Sequence, residues 1–350
     1  MANSIFVIAL AISFALVLIW GFIALPGERW QIMAAVPQIK TADGRWTGIN
    51  LTYYGFFNAM AYSTAVAVVF LLLGSIQVPK SAVFTIVTAL LALCMPASRL
   101  VAKWVERKSY TFTVAGASFI GIVAAPWMIV FLNSAMEKFL LPSLPVLPAL
   151  AAFSIAYALG EGLGRLACVS FGCCYGKALS DCHPLLRKIF SGYSFTFWGR
   201  TKKVAYSGGL EGQKVFPIQA VTSCLYLSVG LVGILLFLTS HFLLAFLLPL
   251  LVTQSWRCIS ERLRVDYRGT GTVTRYQIMS IFSFLYALCI PFYIASPAIP
   301  PPEILRGLRE LWHPGMILFL QTLWVAVLFY TGRSMVTGSI LTFHVHEDRI

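Results

Sequence analysis

Two arginines stand one helical turn from a carboxylate inside otherwise apolar stretches. Arg165 follows Glu161 by four positions, and Arg257 precedes Glu261 by four. At that spacing the partners of each pair share one face of a helix and can meet. A third arginine, Arg99, sits near the end of another apolar run. Ionisable groups within a membrane span are costly and usually mark function. A guanidinium presents a planar fork that grips phosphate through two parallel hydrogen bonds. The chemistry these residues suit is therefore the holding of a phosphate, such as a phospholipid headgroup. Snorkelling or helix–helix ion pairing explains each arginine taken singly, but less readily three that converge on one face.

Sulfur is the second chemical signal. Cys173, Cys174 and Cys182 cluster beside His183, with Cys168 shortly before them. The spacing departs from the usual zinc patterns, which place two to four residues between paired cysteines. No metal or other cofactor is therefore expected. Redox-active or disulfide-bonded thiols at Cys173, Cys174 and Cys182 remain an alternative if this segment faces an oxidising compartment. Cys94, Cys224, Cys258 and Cys289 lie in or near apolar segments and read as small hydrophobes.

The elements that must position these groups are membrane helices. Of the 350 residues, 59% are hydrophobic and only 11% charged. A soluble domain of this size could not bury so much apolar surface in one core, whereas a bilayer takes about 20 apolar residues per span. Nine spans are expected near 5–25, 50–74, 80–99, 112–133, 145–171, 216–238, 241–257, 277–295 and 312–331. The first has no basic leader and no small-residue cleavage site, so it reads as a retained helix. The expected fold is all-α and polytopic, with a small β-rich extramembrane cap. A hairpin signal at Ala42-Asp43-Gly44 and alternation around Tyr193, Phe195 and Phe197 place that cap in 28–49 and 190–215. The tail after Arg333 reads as short structure or disorder.

With nine spans, the segments 25–49, 101–111, 172–215, 258–276 and 332–350 fall on one face and carry 19 of the 26 Lys and Arg residues. The positive-inside rule would make that face cytoplasmic. An anion-binding face would show the same excess, and no nucleic-acid partner is needed to explain it.

Longer motifs surround the arginines. Gly164-Arg165-Leu166-Ala167-Cys168 runs on through Gly172-Cys173-Cys174-Tyr175-Gly176-Lys177, and Arg257-Cys258-Ile259-Ser260-Glu261-Arg262-Leu263-Arg264 continues to Gly269. The first resembles the signature of the bacterial prolipoprotein diacylglyceryl transferase family, and the second resembles that family's later Arg-x-x-x-Glu-x-x-Arg segment. Smaller matches follow in collinear order: Tyr54-Gly55, Ser98-Arg99-Leu100, Gly116-Ala117-Ser118-Phe119 with Gly121, Pro217-Ile218-Gln219 and Gln277-Ile278-Met279-Ser280. The likeness covers roughly residues 38 to 296. It implies a seven-span core over 38–296, with one extra helix in 1–37 and another in 297–350.

The resemblance also implies an activity. That family moves a diacylglyceryl group from phosphatidylglycerol to the lipobox cysteine of a prolipoprotein, at the bacterial inner membrane. It implies catalytic roles for Arg165, Arg257 and Glu261, with Glu261 orienting Arg257. It implies substrate contacts from Tyr54, Arg99, Ser118, Gly121, Gly164, Cys168, Cys173, Tyr175, Gly176, Gln219 and Arg264. The family also turns its arginines outward, against the positive-inside count, and the outward orientation is the expectation taken here. The chain departs from the family's pattern at Ile120 and Ile122, where His and Gly are usual. It departs again at Cys168 for Asn, Cys173 for an acidic residue, Val221 and Thr222 for Tyr and Glu, and Thr253 for Tyr. A lipid- or lipoprotein-binding relative without turnover is the companion expectation.

Overall fold

The computed structural model describes residues 2–107, 113–138, 143–265, 273–294 and 299–350. The end of the later basic block, 266–269, and the last residue of the span expected at 277–295 lie outside them. Helices α1 (Ala2–Ala24), α2 (Tyr53–Ser75), α3 (Lys80–Glu106), α4 (Val114–Glu137) and α5 (Val146–Phe171) come first. Short α6 (Pro184–Phe190) and α7 (Lys203–Tyr206) follow, then α8 (Ile218–Leu238), α9 (Phe242–Ser260), α10 (Arg275–Cys289), α11 (Ile304–Leu311) and α12 (Pro314–Gly332). Among the described residues, nine helices are long and apolar enough to cross a membrane, α6, α7 and α11 being too short. The chain is an all-α polytopic membrane protein with a small β cap.

Helix α5 is the hub, packed against α2, α8 and α9. Its run of small residues (Ala149, Ala151, Ala152, Ala156, Gly160, Gly162) lets neighbouring backbones come close, the usual basis of helix association in lipid. A Cβ on Gly162, for instance, would stand 2.9 Å from the Leu227 side chain of α8. Alternating connections put the start of α2 and the ends of α3, α5 and α9 at one face. The start of α3, the end of α8 and the amphipathic α11 lie at the other. The flanking helices are part of the same body: α1 lies on α8, and α12 on α2.

Strands β1 (Ile32–Lys40) and β2 (Trp46–Thr52) form the expected hairpin, closed by Gly44 at φ +83°. Two expectations for the cap need correction. The tail forms strand β5 (Arg333–Leu341), antiparallel to β2, giving sheet order β1-β2-β5. A pairing across nearly 300 residues leaves no local sequence signal. The 190–215 segment is hardly β-structured, holding only the two-residue strands β3 (Phe195–Thr196) and β4 (Lys214–Val215). Its aromatic alternation buries Phe195 and Phe197 in the core rather than building a sheet face.

Candidate functional site

Helices α2, α3, α4, α5, α8, α9 and α10 enclose a cavity of about 340 Å³, to which α1 and α12 contribute no lining residue. This volume lies in the range of small-ligand sites. The cavity is sharply divided along its length. Leu150, Phe153, Val69, Leu90, Phe246 and Leu250 line its depth, whereas Glu161, Arg165, Arg257, Glu261 and Arg264 gather at the arginine face. From Leu150 to Arg165 is about 22 Å along an α-helix, most of the hydrocarbon thickness of a bilayer.

The polar end is organised by one carboxylate. Glu161 on α5 pairs with Arg165 through one oxygen and with Arg257 of α9 through the other. Arg257 also donates to the Tyr157 hydroxyl at 2.8 Å, and Gln254 donates to the same hydroxyl at 3.3 Å. Tyr157, Glu161 and Arg165 repeat every four residues, so one stripe of α5 faces the cavity. Each guanidinium keeps a donor in reserve. Nε of Arg165 and Nε of Arg257 are buried with no hydrogen-bond partner among the described residues. Both residues line the cavity, and a buried donor left without a partner favours an acceptor such as an anion.

The structure revises the expected role of Glu261. The carboxylate that holds Arg257 is Glu161, and Glu261 lies 3.9 Å from Arg264. The i,i+4 spacing of Arg257 and Glu261 is real, and Glu261 keeps helical backbone with its N–H on the Arg257 carbonyl at 3.3 Å, but among the described residues the Arg257 ion pair goes to Glu161. Arg99 is corrected as well. Helix α3 continues to Glu106, so Arg99 stands well inside it, exposed, with its guanidinium 4.2 Å from the Tyr330 ring. It does not line the cavity.

The other expected residues divide into two groups. Tyr54, Ser118, Gly121, Gly164, Cys168 and Gln219 line the cavity. Cys173, Tyr175 and Gly176 do not, and they build its wall instead. Lys177 N–H donates to Leu263 C=O at 3.1 Å and Val265 N–H to Tyr175 C=O at 3.3 Å, a β-bridge that pairs Gly176 with Arg264. A Cβ at Gly176 would come within 2.5 Å of the Phe216 carbonyl, so only glycine permits this approach. The two arginine motifs are thus joined backbone to backbone. Of the departures from the family pattern, Ile122 and Thr222 line the cavity, while Ile120 and Thr253 do not.

Helix α5 ends in a left-handed turn. Gly172 has φ +67°, its N–H donates to Val169 C=O, and Cys173 N–H donates to Cys168 C=O, the Schellman pattern. This turn folds Cys173 and Cys174 back over Cys168. Their three sulfurs lie within 4.8 Å of one another, and Cys168 and Cys174 are 3.8 Å apart. Spacing along the chain hid this grouping because the helix reverses between its members. Cys182 stays apart, its sulfur directed at the Ala178 carbonyl. Hydrogen bonding to Cys168 and Cys174, with burial added, pushes the Cys173 thiol well above its ordinary range.

Lys202 and Tyr157 escaped the sequence reading. Lys202 is fully buried and donates to Leu25 C=O at 2.9 Å and Ser170 C=O at 2.6 Å, closing the ends of α1 and α5 together. Burial pushes its pKa down to about 7. A lysine in a basic loop carries no mark of such a position. Tyr157 did carry one, standing four residues before Glu161.

Compared with known proteins, the chain matches no family model and no curated sequence.

Proposed function

We propose that this chain is a lipid transferase that takes a diacylglyceryl group from phosphatidylglycerol and joins it to a cysteine thiol, as in prolipoprotein maturation at a bacterial inner membrane. The supporting observation is the divided cavity, with two buried arginines holding unpartnered Nε donors at one end and apolar walls along the rest. A phosphate bound there would set its two oxygens against Arg165 and Arg257, with the acyl chains along α2, α5 and α9. As the carbon–oxygen bond to the phosphate breaks, negative charge grows on the leaving oxygen. Donors already fixed in place stabilise that charge without reorganising. Glu161 keeps both guanidiniums aimed, and Tyr157 steadies Arg257.

Expression in a bacterium depleted of its own diacylglyceryl transferase tests this, with lipid attachment to a reporter prolipoprotein as the readout. Restored attachment is expected. Arg165→Ala should reduce it at least 100-fold, in keeping with the loss of one transition-state donor, while membrane insertion stays normal. Normal attachment in that variant refutes the role of Arg165. Orientation is tested by reporter fusions at Arg349 and within 134–144. An outward C-terminus is expected, and a cytoplasmic one with an outward 134–144 segment overturns it.

One observation favours a second reading, a lipid-binding relative without turnover. Among the described lining residues there is no histidine, and the Glu161 carboxylate is committed to arginines. Phosphatidylglycerol that co-purifies with a well-inserted but inactive protein would support it.

A further inference from the structure

The sulfur cluster has the geometry of a metal site. Zinc binds thiolate at about 2.3 Å, so sulfurs sharing one zinc stand about 3.8–4.0 Å apart. The Cys168–Cys174 separation is 3.8 Å, and all three sulfurs of Cys168, Cys173 and Cys174 lie within 4.8 Å of one another. Two independent backbone features fix them. The left-handed turn at Gly172 closes α5, and Cys174 itself has φ +54°. Gln219 of α8 donates to the Cys173 carbonyl at 2.9 Å and holds the turn from the other side. Cys168 and Cys174 line the cavity and Cys173 stands behind them, so an ion among the three sits in the cavity wall. Arg165, three residues before Cys168 on the same face of α5, supplies charge opposite to three thiolates.

We propose that Cys168, Cys173 and Cys174 bind one zinc ion whose fourth coordination position opens onto the cavity and takes the thiol of the acceptor. Three protein ligands and one exchangeable position is the arrangement of catalytic rather than structural zinc. Zinc lowers the pKa of a bound thiol and holds it as thiolate. Among the described residues the lining offers no histidine to do this. In the step that follows, the coordinated sulfur attacks the glycerol carbon of the lipid. A sulfur–carbon bond forms as the carbon–oxygen bond breaks, glycerol phosphate leaves with the electron pair beside Arg165 and Arg257, and the proton lost on coordination goes to water. No oxidant or reductant is required. The identity of that thiol as a prolipoprotein cysteine rests on the transfer reading above; the metal site does not.

The test uses the full chain in detergent, purified without chelator. Elemental analysis should find one zinc per chain, lost in Cys168→Ser and Cys173→Ser and retained in Cys224→Ser, with folding checked by thermal unfolding. In protein loaded with cobalt(II), sulfur-to-cobalt charge-transfer absorption is expected. A peptide carrying one cysteine should shift the ligand-field bands toward a four-sulfur pattern, and its serine counterpart should not. A folded protein without zinc overturns the proposal, as do a Cys168–Cys174 disulfide in unreduced protein and copper(I) held by the three sulfurs alone. Undiminished lipid transfer in metal-free protein overturns it too and leaves the transfer reading standing. Zinc and thiol binding in a protein that moves no lipid upholds the site and removes the transfer reading instead.

Discussion

The two faces of the protein use the same charged residue types to opposite ends. At the arginine face, Glu161 and Arg257 keep only 3% and 8% of their side-chain surface and share a carboxylate with Arg165. At the other face, Lys80 and Glu310 pair at 2.7 Å with 45% and 35% exposed, and Glu303 pairs with Arg306 in the open. Desolvation makes the difference. A buried set is expensive to assemble and very expensive to break, because removing one member strands the others away from water. An exposed pair is screened and loses little when split. Buried charge of this kind adds little net stability, so its presence argues for a task that needs fixed cations.

The sharpest break of this comparison is Glu161→Ala. It strands two guanidiniums and should cost about 3–5 kcal/mol, read as a lowered unfolding temperature in detergent. A loss no larger than that of Lys80→Ala would mean the two faces do not differ. Next comes Lys202, whose depressed pKa gives a signed pH effect. Between about 7 and about 10.4 the unfolded chain binds a proton that the folded chain does not, so stability should rise with pH across that window. Thermal unfolding from pH 7 to 10 checks this, and Lys202→Met should flatten the slope. Gly307→Ala probes the other face by shape instead of charge. Its Cβ would fall 2.1 Å from the Leu71 carbonyl, and overpacking of this kind costs about 1–3 kcal/mol. Lys80→Ala should cost least, about 0.2–1 kcal/mol, and the loss should shrink further with added salt.

The helices were legible because a span must be long and apolar wherever it lies, and that requirement is written locally. All nine expected runs are helices, although α3 outlasts its apolar stretch and carries Arg99 away from the site. The site was legible in part. Spacing of four identified Glu161 with Arg165, since both belong to one helix. The same rule misassigned Arg257, whose partner comes from α5, 96 positions away. Periodicity reports which residues share a face and says nothing of which face meets it. The thiols illustrate a second limit. Cys182 is near Cys173 and Cys174 in sequence and apart in space, while Cys168 is drawn in by the left-handed residues Gly172 and Cys174. Chain spacing predicts ligand grouping only where the backbone runs without reversal.

The pairing of β5 with β2 carries a consequence for biogenesis. Ribosomes deliver the β1–β2 hairpin early and β5 only after α12. Until then the outer edge of β2 offers unpaired N–H and C=O groups, an invitation to other chains. Threading of Arg333–Leu341 onto that edge requires α12 to have crossed in the right direction. The sheet therefore acts as a latch that closes only once α12 is correctly inserted, and a product truncated after Gly332 would keep an open edge that quality-control proteases and chaperones can recognise.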